Sequence, residues 1–407
     1  MKILFNIIVT FLVTSAFAQN DIWKVYNSAS TNLPDNKITA VIIDKNNNKW
    51  IGSQEGLILF DGKNWKVFTT KNSKLPSDKI LSILEVGNNI WIGTTSGLVQ
   101  INEKNWNIIN TENSNLPSNK IRKIVKDYQG NIWIATEKGL AEYDGKNWRV
   151  FNKKNKKIKD DDFISLAIDK ENNIWAGSNS GLIKLNKQKT IEYTTKNSPL
   201  TDNHIWNLTI DKNNIKWIGT KKGLFSLSDK NWKIYTKDNS ELPHNIINAL
   251  TTDDYDRIWI GTPKGISSFD GIEWQLYKAT KKKMNHYSIY IDENDNKWIG
   301  TEKALLVLNQ DGVNEKTLST KSTLFFEATN NISENSTKFT YYLPSASKVS
   351  IKLYSFQGKE ITTIFEETNL KGQHHFYYNT KHLSCGTYFC QFRTNKSKQT
   401  QKIVVMK

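Results

Sequence analysis

A tryptophan followed by Ile or Ala, a tiny residue and then Ser or Thr recurs seven times in this chain. The copies begin at Trp50, Trp91, Trp133, Trp175, Trp217, Trp259 and Trp298. Their spacings are 41, 42, 42, 42, 42 and 39 residues. A fixed period of about 40–45 residues is the mark of four-stranded propeller blades, each too small to bury a core alone. Within one period, Ile38 to Ile43, Trp50 to Ser53, Leu57 to Phe60 and Trp65 to Thr69 read as four short strands. Gly56 and Asp61-Gly62-Lys63-Asn64 fall between them, where Gly, Asn and Asp support tight turns.

The third motif position is Gly in six copies and Ala135 in one. Such a position predicts close approach by the adjacent blade, with that blade's large tryptophan as the expected neighbour. A second tryptophan series marks the fourth strands: Trp65, Trp106, Trp148, Trp232 and Trp274, with Thr190 in the place of one. The seventh copy lies at the front, in Asp21-Ile22-Trp23-Lys24-Val25-Tyr26. This order predicts that the N-terminal strand completes the last blade beside Leu305 to Leu308, closing the ring and removing its exposed edges. The fold class is therefore all-β: a seven-bladed β-propeller followed by a small β-sandwich. The expected boundaries are a signal peptide over 1–18, the propeller over 19–312, a linker over 313–325 and the sandwich over 326–407.

The signal peptide is read from Lys2, the apolar stretch Ile3 to Val13 and the small-x-small site Ala16-Phe17-Ala18. That stretch is too short to span a bilayer, which takes about 20 residues. No transmembrane segment is expected in the mature chain. The two cysteines, Cys385 and Cys390, sit an odd number apart in a strand and so face opposite ways; no disulfide is expected.

The repeats resemble the two-component-regulator propeller repeats of periplasmic sensors in Bacteroidetes, as in Asp169 to Leu182 (DKENNIWAGSNSGL) and Asp211 to Leu224 (DKNNIKWIGTKKGL). The resemblance implies a recognition module. Beyond Phe325 the period stops, and NSTKFTYYLP (Asn335 to Pro344), VSIKLYSFQGKEI (Val349 to Ile361), LKGQHHFYY (Leu370 to Tyr378), GTYFCQF (Gly386 to Phe392) and a terminal QKIVVMK follow in order. These stretches resemble the C-terminal sorting domain of the type IX secretion system, with Gly358, Gly372, Gly386, Tyr388, Lys402 and Lys407 as its motif positions. That resemblance implies export to the cell surface or medium, with the type IX machinery as a partner.

The net charge of +16 points to an acidic partner or to solvated lysines alone. Lysines crowd two interblade connections (Lys153, Lys154, Lys156, Lys157, Lys159; Lys281 to Lys283) and several second-to-third-strand turns, including Lys222 and Lys264. With export, an anionic glycan fits better than nucleic acid, which is not expected as a partner. Subtracting both tryptophan series leaves one of the fourteen tryptophans, Trp206, at the start of a channel-lining strand. Its equivalents are Thr39, Leu81, Arg122 and Ile164. Trp206, Tyr287, Arg122 and Asn248 are the candidate rim, with His204, His286, Lys222 and Lys264 beside it. Aromatic faces with hydrogen-bonding neighbours suit sugars; the alternative is that Trp206 plugs the channel or packs between blades.

No catalytic residue set, cofactor or metal site is expected: nucleophile elbow, phosphate loop and zinc-helix motifs are missing from the sequence. Asp44 to Asn48 has a calcium-loop flavour but reads as a hairpin turn. The expected protein is a monomeric, non-enzymatic binder of an extracellular ligand. A polysaccharide lyase or hydrolase using Arg122, His204, His286 and Tyr287, and a protein-interaction scaffold, are the rival readings.

Overall fold

In the computed structural model, the described residues are 22–309 and 325–406, apart from short stretches at 32, 103–104, 157, 159, 187–188, 255, 278–283, 329–331, 334–335, 344, 370–371 and 396. The expected signal peptide, most of the expected linker, Lys157, Lys159, Lys281 to Lys283 and Lys407 therefore lie outside the described residues. The chain divides into two compact units, 1–312 and 313–407.

The first unit contains seven four-stranded antiparallel sheets. Blade one runs Ile38–Ile43, Lys49–Ser53, Leu57–Phe60 and Trp65–Phe68, and the later blades repeat it. The last sheet is ordered Ile22–Tyr26, Leu305–Asn309, Lys297–Thr301, His286–Ile291. Its register places Trp23 opposite Leu308 and Tyr26 opposite Leu305. The N-terminal strand thus closes the ring. Apart from a single helical turn at Lys153–Lys156, the described elements are strands.

The tryptophan motif has two physical causes. The first is a hydrogen bond. In six blades the indole Nε1 donates to an aspartate six residues earlier, as in Trp50–Asp44 at 2.9 Å and Trp259–Asp253 at 2.9 Å. The same carboxylate shapes the hairpin: Asp44 Oδ1 accepts from the backbone N–H groups of Asn46 and Asn48, while Asn47 takes φ 63°. These are Asx turns, which Asn and Asp make at little cost. The calcium-like spelling of Asp44 to Asn48 is this turn.

The second cause is the seam between blades. A Cβ on Gly219 would stand 2.7 Å from Ile247 Cγ2, and one on Gly93 would stand 2.7 Å from Ile121 Cγ2. The residue crowding the glycine is thus the first residue of the next blade's inner strand, not that blade's tryptophan as expected. Ile38, Ile80, Ile121, Ile205 and Ile247 fill this role, all fully buried, and Phe163, equally buried, begins the inner strand of the blade after Ala135. A branched aliphatic at the narrow inner end leaves no room for a methyl opposite, whereas the wide indoles lie further out. Each full aliphatic burial contributes roughly 1.5–3 kcal/mol.

The outer tryptophans staple neighbouring blades. Trp65 stacks on Phe60 of its own blade at 4.1 Å between centroids and meets Tyr26 of the preceding blade edge-on at 5.4 Å. Trp232 with Tyr193 and Trp274 with Tyr235 repeat the interblade contact.

In the second unit, a three-stranded sheet (Phe325–Ala328, Ser336–Leu343, Gly372–Asn379) and a five-stranded sheet (Ile332–Ser333, Lys398–Val405, Gly386–Thr394, Ser347–Ser355, Glu360–Asn369) share one core. Phe326, Phe339, Ile351, Leu353, Cys390, Phe392 and Ile403 build it. The alternation of Val349, Ile351 and Leu353 follows the strand period, with all three fully buried. Cys390 is buried, Cys385 is exposed, and both are free thiols. Strand one of this unit starts at Phe325, the last residue assigned from sequence to the linker.

Candidate functional site

The inner strands enclose a channel of about 470 Å³. Its mouth is built by a repeated backbone device. In blades one, two, three, four and seven the inner strand carries a register shift after its first residue. The bulged residues are Thr39, Leu81, Arg122, Ile164 and Tyr287. Trp206 and Asn248 hold the same place in blades five and six, their N–H groups donating to Gly219 O at 3.0 Å and Gly261 O at 2.8 Å. A bulge re-aims one side chain out of the strand alternation. All seven of these residues are half-buried.

Four of the sequence-derived candidates, Arg122, Trp206, Asn248 and Tyr287, thus share one ring of equivalent positions. Lys221 lies over the Trp206 ring at 4.6 Å and Lys37 over the Tyr287 ring at 5.6 Å. Arg122 is held by Asp162 at 2.7 Å. The Asn248 amide donates to Asn285 Oδ1 at 3.3 Å. His204 is an exposed neighbour whose Nδ1 sits 2.9 Å from Asp202 Oδ1. Lys222 and Lys264 are exposed in the second-to-third-strand turns, their N–H groups donating to Thr220 Oγ1 and Thr262 Oγ1.

His286 is placed elsewhere. It is 5% exposed and occupies the seam position held by Ile247 in the preceding blade, its Cβ lying where a Cβ on Gly261 would come within 2.9 Å. Nδ1 donates to the Thr262 carbonyl at 2.6 Å. Burial lowers its pKa below the ordinary value, so the neutral imidazole is favoured. The bulge that follows gives the mouth position to Tyr287.

Carboxylates interleave with the lysines on this face: Asp162 with Arg122, Glu137 with Lys120, Asp202 with His204 and Glu302 with Asn285. The face is mixed in charge, not uniformly cationic. Asp202 is held below the usual carboxylate range by hydrogen bonds from His204, which outweigh its partial burial.

Sequence reasoning missed Lys123. The third inner-strand position is Ala40, Ser82, Ser165, Asn207, Ala249 or Ser288 in the other blades. Lys123 lines the channel there, its side chain solvent-accessible yet ringed by protein, whose desolvation lowers its pKa. Comparing third positions across the repeats was the available signal.

Comparisons with known proteins bear on both units. Residues 331–406 match the family described as secretion system C-terminal sorting domain. The C-terminal unit is a secretion sorting domain. Residues 115–138 and 241–264 match the two component regulator propeller family. Among curated proteins, none matches the chain.

Solved structures share the fold. The extracellular domain of a hybrid two component system from B. thetaiotaomicron aligns at 17% identity and TM-score 0.62, covering 95% of this chain and 57% of that one. This chain thus spans little more than half of that relative. PorZ, an essential surface component of the type-IX secretion system of Porphyromonas gingivalis, aligns at 14% identity and TM-score 0.56, covering 92% and 60%. Virginiamycin B lyase from Staphylococcus aureus aligns at 11% identity and TM-score 0.59, covering 71% and 99%. The sorting domain assigns this chain to type IX export, and so to secretion and cell-surface attachment. Among the described residues, no helix is long and apolar enough to cross a membrane.

Proposed function

We propose that the propeller is a non-enzymatic binding module that holds an extracellular glycan at the channel mouth after export through its sorting domain. The observation that carries this reading is the ring of bulged positions, where the repeat abandons its scaffold residues for Arg122, Trp206, Asn248 and Tyr287. An aromatic face flanked by amide, guanidinium and ammonium groups suits a sugar, whose C–H face stacks while its hydroxyls accept and donate. Lys221 beside Trp206 and Lys37 beside Tyr287 add attraction for acidic sugars, tempered by Asp162 and Glu302.

A polysaccharide lyase or glycoside hydrolase is the second reading. Its candidate set was Arg122, His204, His286 and Tyr287; His286 is sealed in the seam and His204 is turned to Asp202. Binding of acidic and neutral oligosaccharides to the full chain, compared with Trp206→Ala, tests the proposal. Loss of binding supports the aromatic mouth, and unchanged binding removes it.

A further inference from the structure

The fourth blade breaks the outer tryptophan series, and a groove of about 1220 Å³ lies where the break occurs. Elsewhere the outer indole covers the third-strand residue paired with it, as Trp65 covers Phe60, Trp148 covers Tyr143 at 4.6 Å and Trp274 covers Phe269 at 4.6 Å. It also reaches the fourth strand of the preceding blade, as Trp106 reaches Phe68 at 5.2 Å. In blade four the paired residues are Leu185 and Thr190, and the preceding blade presents Phe151. Thr190 brings no ring, so Leu185 and Phe151, with Trp133 stacked on Phe151 at 5.1 Å, become the floor of an open slot.

The walls are polar. Glu142 is 3% exposed and lines the groove. Its Oε1 accepts from Arg149 at 2.5 Å and from Asn131 at 3.0 Å, while Oε2 is buried with no hydrogen-bond partner. A buried carboxylate oxygen left unpaired is costly, because it has given up hydration without gaining a donor. Asp127, also buried, and Glu192 add negative charge to the lining.

We propose that this groove is a second ligand site, which takes an uncharged sugar ring in the place the missing indole vacates. The vacated slot fixes the shape: one flat ring, stacked on Leu185 and Phe151. The walls fix the chemistry: hydroxyl donors toward Glu142 and the amides, and repulsion of a ligand carboxylate, because Asp127, Glu142 and Glu192 outnumber the two cations of the lining, Lys189 and the Glu142-paired Arg149. A partner's aromatic side chain would match the floor but leave the acidic walls unanswered. The site shares the glycan reading of the channel mouth but none of its residues.

The test compares the full chain with Thr190→Trp, which restores the scaffold residue, and with Thr190→Val, which leaves the slot open. The probes are cellohexaose, xylohexaose, mannohexaose and oligogalacturonate, measured by calorimetry. Wild type and T190V should bind an uncharged hexaose in preference to the galacturonate, and T190W should lose at least about tenfold in affinity, about 1.4 kcal/mol. Hydrogen exchange on the wild type should show protection over 140–155, 185–186 and 189–197 on adding that hexaose, a readout independent of how the variant folds. Equal binding by T190W, no binding of any uncharged probe, or protection confined to the channel mouth overturns the proposal. Trp206→Ala separates the two sites: loss of binding there with T190W intact overturns the groove and leaves the mouth standing, and the reverse pattern does the opposite.

Discussion

If the N-terminal strand is a structural member of the ring, Tyr26 should be worth as much as its counterparts in the other blades. Tyr26 is 9% exposed and lies parallel to Trp298 of its own blade at 6.3 Å. Across the seam it meets Trp65 at 5.4 Å and Phe60 at 5.9 Å. Tyr193 makes the same pair of contacts in blade four, with Trp175 at 5.8 Å and Trp232 at 5.7 Å. Removing a buried aromatic ring costs about 3–5 kcal/mol through lost transfer energy and the cavity left behind. For a ring of this size each kcal/mol moves the melting temperature by about 2–4 °C, so Tyr26→Ala should lower it by roughly 6–20 °C. Tyr193→Ala should do the same within error. Thermal unfolding followed by tryptophan fluorescence reads both, since each tyrosine touches two indoles. A loss below about 1 kcal/mol for Tyr26→Ala, with the full loss for Tyr193→Ala, would refute closure, because a dangling strand owes the ring nothing.

Three further outcomes follow from the same geometry. Gly219→Ala should destabilise by about 1–3 kcal/mol in urea unfolding, because its methyl meets Ile247 across the seam at 2.7 Å. His286 titrates below its ordinary value of 6.5; the unfolded chain therefore binds the proton first, and stability should fall as pH drops below about 6.5, levelling off under the folded value. His286→Ile, which installs the seam residue of the other blades, should flatten that part of the profile; an unchanged slope in paired melts at about pH 8 and pH 5 would reject the assignment. In the sorting domain, burial pushes the Cys390 thiol far up while Cys385 is exposed. One thiol should react with a maleimide in the native chain and two after denaturation, and two native reactive thiols would contradict the packing.

The ring was legible because its repeat is written in residues with one physical job each. Trp50 and its kin mark a blade, Gly52 and its kin mark a seam, and the orphan Trp23 marks the closing strand. What filled the seam was not legible, because Ile247 lies 28 residues beyond Gly219 and looks like any strand aliphatic. The Asp–indole bond was hidden for the opposite reason: Asp44 sits in a turn where aspartate needs no further explanation. The channel-mouth candidates were found by subtracting the scaffold from the inner strands, yet the same subtraction ranked His286 with them, since one-residue offsets at a bulge decide which side chain faces the channel. Applied to the outer series, it singles out Thr190, whose significance appears only when Phe151 of another blade is seen beneath it. The mixed charge of the mouth was not legible from the lysines alone, because carboxylates such as Asp162 and Glu137 pair with cations of this face only in the folded ring.

Above all, we propose that the exported ring binds a glycan and returns it unchanged. Titration of the full chain with the neutral and acidic oligosaccharides, followed by mass spectrometry of the recovered sugar, measures this directly. Saturable binding, with every oligosaccharide recovered at its original length, is the expected result. Shortened chains, or the unsaturated ends that a lyase leaves, would contradict it.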